Sequence, residues 1–202
     1  MLRREADEGQ RWAEKTIEIC EKYVLALMLA QGRFHLGWAL AEQGHVVHGI
    51  ELIRDGITAT RATGALMGFP FYLSVLARAY LDSGELHQAA ATLDEASSVA
   101  TEARALYFFP EVLRTKGKLL LLQDQDHPEA AQKCFQQAVT MAREQGARSF
   151  ELRAATSLAR FWRDQGKPQQ ARELLAPVYG WFTEGFDTLD LKEAKVLLEE
   201  LA

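Results

Sequence analysis

The sequence of 202 residues has little of several features that mark particular classes of protein. It has only two cysteines, Cys20 and Cys134, and they form neither a Cys-x-x-Cys site nor a disulfide framework. Both lie among apolar positions with helical spacing, so we expect two buried free thiols. This sparse use of cysteine favours a reducing, cytoplasmic setting.

An excess of basic residues and a long apolar run are lacking as well. The 28 acidic residues outnumber the 23 basic ones, whereas a nucleic-acid-binding domain is expected to carry a strongly basic face. The longest strongly apolar run, residues 23–30, is much shorter than the ~20 residues that cross a bilayer. We therefore expect a protein that binds neither nucleic acid nor membrane.

Motifs of catalysis and metal binding are also missing. There is no phosphate-binding glycine loop and no Gly-x-Ser-x-Gly turn. His45 and His48 are three residues apart, but a zinc site needs three or four well-placed ligands and no His-Glu-x-x-His motif supplies them. The remaining histidines are His35, His87 and His127. The sequence predicts no catalytic residue, no metal site and no cofactor.

The glycines that are present mark a repeat. Gly44 and Gly84 are 40 residues apart, and Gly166 follows after about two further periods, which predicts another copy near residues 110–145. Before and after each glycine, apolar residues recur at positions i, i+3, i+4 and i+7, as on one face of an α-helix. The second copy of this pattern is Leu73, Leu76, Ala77 and Tyr80, then Ala89, Thr92, Leu93 and Ala96. No segment alternates with period two, so no sheet is expected.

Such helix pairs bury their apolar faces by stacking on one another, which predicts a single solenoid over residues 1–202. Within it we expect a partial repeat with Trp12, Ile17 and Cys20 facing inward, four full repeats, and a C-terminal capping helix. The predicted boundaries are 1–22, 23–64, 65–106, 107–146, 147–184 and 185–202. The aromatic segment at residues 179–186 is expected to be a tight connection.

The pattern resembles the tetratricopeptide repeat (TPR) family. The matching residues are Leu36, Gly37, Tyr80, Ala89, Phe135 and Ala138. This resemblance implies an all-α, TPR-like right-handed superhelical solenoid of antiparallel helix pairs. The period of ~40 residues is longer than the usual 34 of the family, as in MalT-like signalling proteins. A HEAT-like solenoid has a similar period but lacks the glycine turns, and it stays as the alternative.

Two segments, residues 44–64 and 175–188, look like C-terminal parts of bacterial multidomain proteins. In those proteins an adenylate or guanylate cyclase or a DNA-binding domain precedes an ATPase and a TPR array. The resemblance implies that the chain is the regulatory arm of a longer signalling protein. The cyclase and ATPase residues are absent from this sequence, so no catalytic role carries over.

The TPR resemblance also implies that the first helix of each pair lines a concave groove. The expected groove residues are Phe34, Trp38, Phe71, Arg78, Arg114, Lys118, Arg153, Arg160 and Arg163. Their basic side chains favour an acidic or C-terminal carboxylate segment as the ligand, with the aromatic rings as apolar anchors. The alternative is that acids of the chain neutralise these bases in internal ion pairs. The acids in question are Glu42, Asp82, Glu111 and Asp164.

These observations predict a non-catalytic protein–protein interaction module that binds a peptide or partner domain. The sequence contains no asparagine, so it lacks the asparagine-containing carboxylate clamp of chaperone-binding TPR domains. Two alternatives remain. A small-molecule-sensing domain would control an attached cyclase or ATPase and would contain an enclosed pocket. A homodimerisation scaffold would carry a large apolar patch on its outer face or at one end.

Overall fold

Helices account for the regular structure in a computed structural model that describes residues 5–65, 68–124 and 128–202. Within these ranges there are ten α-helices and one 3₁₀ turn, Leu106–Phe108, and no strand. The helices are α1 Ala6–Tyr23, α2 Ala26–Glu42, α3 Val46–Ala62, α4 Phe69–Asp82, α5 Leu86–Glu102, α6 Phe109–Gln123, α7 Glu129–Glu144, α8 Arg148–Asp164, α9 Pro168–Tyr179 and α10 Leu189–Glu200.

Two compact units divide the chain, Met1–Phe108 and Phe109–Ala202. In unit 1, α2 pairs with α3 and α4 pairs with α5, while α1 packs on α2. In unit 2, α6 pairs with α7 and α8 pairs with α9, while α10 packs on α8 and α9. We call α2, α4, α6 and α8 the first helices of their pairs, and α3, α5, α7 and α9 the second helices.

The predicted glycine turns join the two helices of a pair. Gly44, Gly84 and Gly166 have φ angles of 93°, 81° and 70°, which lie in the left-handed region. Helices often end with a residue in this conformation, and glycine adopts it at the least energetic cost. Each turn is short, so the two helices that it joins run antiparallel. The helices predicted on either side of these glycines are present.

Small residues allow the helices of a pair to approach closely. A side chain at Gly37 of α2 would place its Cβ 2.6 Å from the backbone nitrogen of Ile53 in α3. A Cβ at Gly117 of α6 would lie 2.5 Å from Cε1 of Phe135 in α7. These pairs therefore pack by small residues on one helix that make room for larger ones on the other.

A C-terminal helix is present as α10, within the predicted range 185–202, and it completes the core of unit 2. It buries Leu191, Ala194, Leu197 and Leu201 against α8 and α9. Burying a leucine side chain contributes roughly 1.5–3 kcal/mol, so these contacts hold α10 firmly on its unit.

Two expectations about individual side chains need correction. Trp12 was expected to face inward with Ile17 and Cys20, but the structure exposes it while Cys20 is buried. Cys134 is only half-buried, and this burial raises the pKa of its thiol. His127 lies outside the described residues.

Candidate interaction surfaces

A buried ion-pair cluster links α6, α8 and α10 in unit 2. The guanidinium of Arg114 donates two hydrogen bonds to the Glu111 carboxylate, at 2.9 and 2.8 Å. Arg153 of α8 donates to Asp190 of α10 at 2.7 Å and lies 3.6 Å from Glu111. All four side chains are almost completely removed from solvent. We call Glu111, Arg114, Arg153 and Asp190 the charge cluster.

The charge cluster keeps Glu111 ionised despite its burial. Desolvation alone raises the pKa of this carboxyl, but the nearby charges of Arg114 and Arg153 and the Arg114 hydrogen bond outweigh it. Lys118, which is half-buried, adds a further attraction. The net result is a pKa of about 2 for Glu111. Its carboxylate is therefore an internal partner for the basic residues that the sequence assigned to a groove.

The other predicted basic residues also have carboxylate partners. Arg160 donates to Glu193 at 3.0 Å, and Arg163 contacts both Asp164 at 2.9 Å and Glu200. Unlike the charge cluster, these pairs remain open to solvent, with 39% of the Arg160 and 36% of the Arg163 side chain exposed.

In unit 1, Arg78 pairs with Asp82 one turn along the same helix, at 2.8 Å. The internal neutralisation considered from the sequence therefore occurs at Asp82, Glu111 and Asp164. Glu42 makes no ion pair within the described ranges.

Sequence reasoning missed the three acids of α10 that meet α8. Asp190, Glu193 and Glu200 contact Arg153, Arg160 and Arg163 respectively. The sequence did place these acids in the C-terminal capping helix. The sequence did not tell how that helix is rotated on its unit, and therefore did not tell which bases the acids would meet.

The aromatic anchors expected at the groove are not available to a ligand. Phe34, Trp38 and Phe71 are all buried inside unit 1. The ring of Phe34 lies 4.2 Å from that of Tyr72, and Phe71 lies 5.0 Å from Phe108. These rings therefore fill the space between helices, which corrects their assignment as open anchors.

The indole of Trp38 covers Gly9 of α1. A side chain at Gly9 would place its Cβ 2.7 Å from Cζ3 of the Trp38 ring. Because α1 and α2 meet at this point, the indole is used in packing within the unit and offers no free face.

Unit 1 instead exposes apolar residues along α1. Trp12, Ile19 and Tyr23 are 62%, 44% and 61% exposed. Their spacing of seven and four residues places them on one side of the helix. We call these three residues the α1 stripe. Val24, Leu25 and Met28 are exposed next to its C-terminal end.

The repeat shows that positions equivalent to Trp12 are covered elsewhere. The 40-residue period places Leu52 and Thr92 in phase with it, and Cys134 and Leu174 follow in the later pairs. All four are half-buried or buried. Trp12 is thus the exposed member of a set whose other members pack inside their pairs.

The helix that covers this position is the first helix of the same pair. In the pair α2·α3, a Cβ at Gly37 of α2 would lie 2.9 Å from the Cβ of Leu52. The equivalents of Ile19, Ala59 and Val99, are half-buried as well. No helix in the described part of the chain lies over the α1 stripe.

Basic side chains border the α1 stripe. The Lys15 ammonium lies 5.8 Å from the Trp12 ring centre, and the Lys22 ammonium lies 5.3 Å from that of Tyr23. Arg11 projects from the same edge by its helical position. We call Arg11, Lys15 and Lys22 the edge cations. No carboxylate that the structure describes lies within ion-pair distance of them, and the nearby Glu8 accepts a 3.4 Å hydrogen bond from Trp12 Nε1.

Among the described residues, no group of three or more His, Cys, Asp or Glu side chains is arranged to hold a metal ion. None of the helices that could be assessed combines the length and the apolar character of a membrane span.

Comparison with solved structures identifies the fold. TPR-like repeats of a kinesin light chain-like protein from Podosopora anserina match with a TM-score of 0.53 and 20% identity, over 87% of this chain and 86% of that one. A variant of those repeats matches with a TM-score of 0.55 and 20% identity, over 87% and 85%. BtubC (BKLC) from P. vanneervenii matches with a TM-score of 0.64 and 14% identity, over 100% of this chain and 89% of that one.

These similarities confirm the predicted all-α, TPR-like fold. The identities are too low to carry a partner or an activity from those proteins to this chain. No protein-family model and no curated protein sequence matches the chain.

Proposed function

We propose that the chain is a non-catalytic protein-interaction module whose TPR-like helix pairs present the α1 stripe to a partner protein. The observation that carries this proposal is the exposure of Trp12 and Ile19 at repeat positions that are at least half-buried in the other pairs, with the exposed Tyr23 beside them. Clustered apolar residues on a protein surface mark interaction sites. Trp and Tyr are also the residues that contribute most to binding energy at protein interfaces.

A photo-crosslinking amino acid tests this role in the full chain. Placed at position 12, it should give a discrete crosslinked protein from a bacterial cell extract. Placed at position 47 it should give none, because Val47 is exposed on a different helix, α3. The crosslink at position 12 should disappear when Ile19→Glu is added with the circular dichroism spectrum unchanged. Equal yields at positions 12 and 47 would contradict the proposal.

A second candidate is binding of an acidic segment along α8. Arg160 and Arg163 are more than one-third exposed, and their bonds to Glu193 and Glu200 are surface ion pairs. Such pairs contribute about 0–1 kcal/mol, so a ligand carboxylate can replace them at little cost. Charge reversal at Arg160 and Arg163, with pull-down from a bacterial extract, tests this candidate. The control is Arg172→Glu on the exposed side of α9, and an unchanged set of partners ends the groove hypothesis.

The proposed biological setting is the cytoplasmic regulatory arm of a bacterial signalling protein. This part of the proposal rests on the resemblance of residues 44–64 and 175–188 to such proteins. A small-molecule sensor and a homodimerisation scaffold are the competing roles. The scaffold is the one that an exposed apolar patch at one end of a unit favours.

A further inference from the structure

We infer that the partner of the α1 stripe is an acidic-edged amphipathic α-helix. It would lie antiparallel to α1, with Gly or Ala at the centre of its apolar face and Asp or Glu along the edge that meets Arg11, Lys15 and Lys22. This inference rests on the proposed function, because it specifies the chemistry of the protein partner at the same site.

The helical form and direction of the partner follow from the repeat. Trp12 occupies a position that faces the first helix in the pair α2·α3, and Ile19 lies two turns further along the same side of α1. The first helix of a pair runs antiparallel to its second helix, since a short turn connects the two. In the pair α2·α3, Leu52 stands at the position of Trp12 and meets α2 at Gly37. A helix in this orientation therefore covers the stripe by the same packing.

The small central residue follows from the spacing of the helices. First helices carry Gly37, Ala77, Gly117 or Ala159 at the point where they meet their second helices. Ala77 and Ala159 are completely buried, and any Cβ at Gly37 or Gly117 would collide with α3 or α7. Trp12 is larger than its equivalents, so a partner helix must leave room for it with a small residue.

The acidic edge follows from the charge around the stripe. The ammonium groups of Lys15 and Lys22 stand beside the Trp12 and Tyr23 rings, and no described carboxylate lies within ion-pair distance of them. By helical position the same edge also carries Glu8 and Glu18, so its net charge is positive by one. Carboxylates on the partner would complement these charges and fix its register. A second copy of the chain is disfavoured as the occupant. Two antiparallel α1 helices related by a two-fold axis bring the same edge together, which places two edges of net positive charge against each other.

Two synthetic helical peptides of 17 residues, a length taken from α2, test the inference. Both contain the same Leu-Gly-x-x-Leu apolar face, and they differ only in having Glu or Lys along one edge. Fluorescence anisotropy with the full chain should show at least tenfold tighter binding of the Glu peptide. The double variant Lys15→Glu/Lys22→Glu should reverse this preference. Trp12→Glu should abolish binding, whereas Val47→Glu should leave it unchanged.

Several results would overturn the inference. One is equal affinity for the two peptides, and another is binding that Trp12→Glu does not affect. A third is a dimer of the full chain that Ile19→Glu dissociates, because a second copy would then occupy the stripe. If neither peptide binds while the crosslink at position 12 persists, the helix chemistry is wrong and the interaction role stands. If the crosslink is absent as well, both proposals fail.

Discussion

At the residue scale, the turns that follow the second helices reveal a second periodic set of left-handed positions. Gly64 and Gly146 have φ angles of 78° and 66° there, and glycine adopts such angles freely. The equivalent positions after α1 and α5 hold Val24 and Arg104, with φ angles of 54° and 50°. A β-branched residue at positive φ is an outlier, because its Cβ crowds the neighbouring carbonyl.

Val24→Gly should therefore stabilise the protein. A non-glycine residue in this conformation costs roughly 1–2 kcal/mol, which the substitution removes. Glycine also raises the conformational entropy of the unfolded chain, and this offsets part of the gain in stability. We expect the free energy of unfolding in urea to rise by about 1 kcal/mol. Val24 is exposed, so the substitution removes no core contact. Val47→Gly, within helix α3, should instead lower the stability, and a loss of stability in both variants would contradict this account.

The packing glycines predict the opposite behaviour. A Cβ at Gly37 would lie 2.6 Å from Ile53 N and 2.7 Å from Gly49 O, and these backbone atoms cannot move aside without separating α2 from α3. Gly37→Ala should lower the midpoint of thermal unfolding by an amount that corresponds to about 1–3 kcal/mol, as for an overpacked core. In Gly44→Ala the new Cβ has no atom within 4 Å, so the substitution is destabilising only through the left-handed backbone conformation at this position. Its loss should be the smaller, and equal losses would show that close packing is not the cause.

At the element scale, the charge cluster should make unit 2 sensitive to acid. The pKa of Glu111 is about 2 in the folded chain, below its ordinary value of 4.5, so its stabilising effect is complete above pH 4.5. That effect, on the order of 3 kcal/mol, is lost as the pH falls from 4.5 to about 2. Urea unfolding followed by circular dichroism should show a steep loss of stability across this range.

Glu111→Gln tests the assignment at constant pH. The substitution leaves the buried Arg114 guanidinium without its carboxylate, and breaking a buried pair in this way costs about 3–5 kcal/mol. The stability of the variant should also depend less on pH below 4.5. Glu144→Gln, at an exposed site on α7, should change stability by less than about 0.5 kcal/mol. Similar effects of the two substitutions would exclude the cluster as the cause.

The elements were more predictable than their contacts. Helix spacing and the glycines at 44, 84 and 166 depend on local backbone preference, so the pairs and α10 could be placed from sequence. The rotation of each helix on its neighbours is not a local property. For that reason Trp12 was placed inward although it is exposed, Phe34 and Phe71 were placed at an open groove although they are buried, and the acids of α10 were not matched to the arginines of α8.

At the scale of the whole molecule, the distribution of charge matters more than its total. The chain has a net charge of -5, yet the edge of its exposed apolar stripe is basic. Two chains meeting through α1 would gain apolar contact between Trp12, Ile19 and Tyr23. They would also bring together the two edges that carry Arg11, Lys15 and Lys22, and like charges facing each other at an interface cost several kcal/mol.

We therefore expect the purified chain to be a monomer of 22.7 kDa by light scattering at about 0.15 M salt, independent of protein concentration. The Debye length is about 8 Å at 0.15 M salt and about 3 Å at 1 M, so concentrated salt removes most of the repulsion between the edge cations. Weak self-association should then appear at 1 M salt, and Ile19→Glu should prevent it, whereas Val47→Glu should not. A dimer that is tightest at low salt would contradict the charge argument, because repulsion between like charges is greatest there.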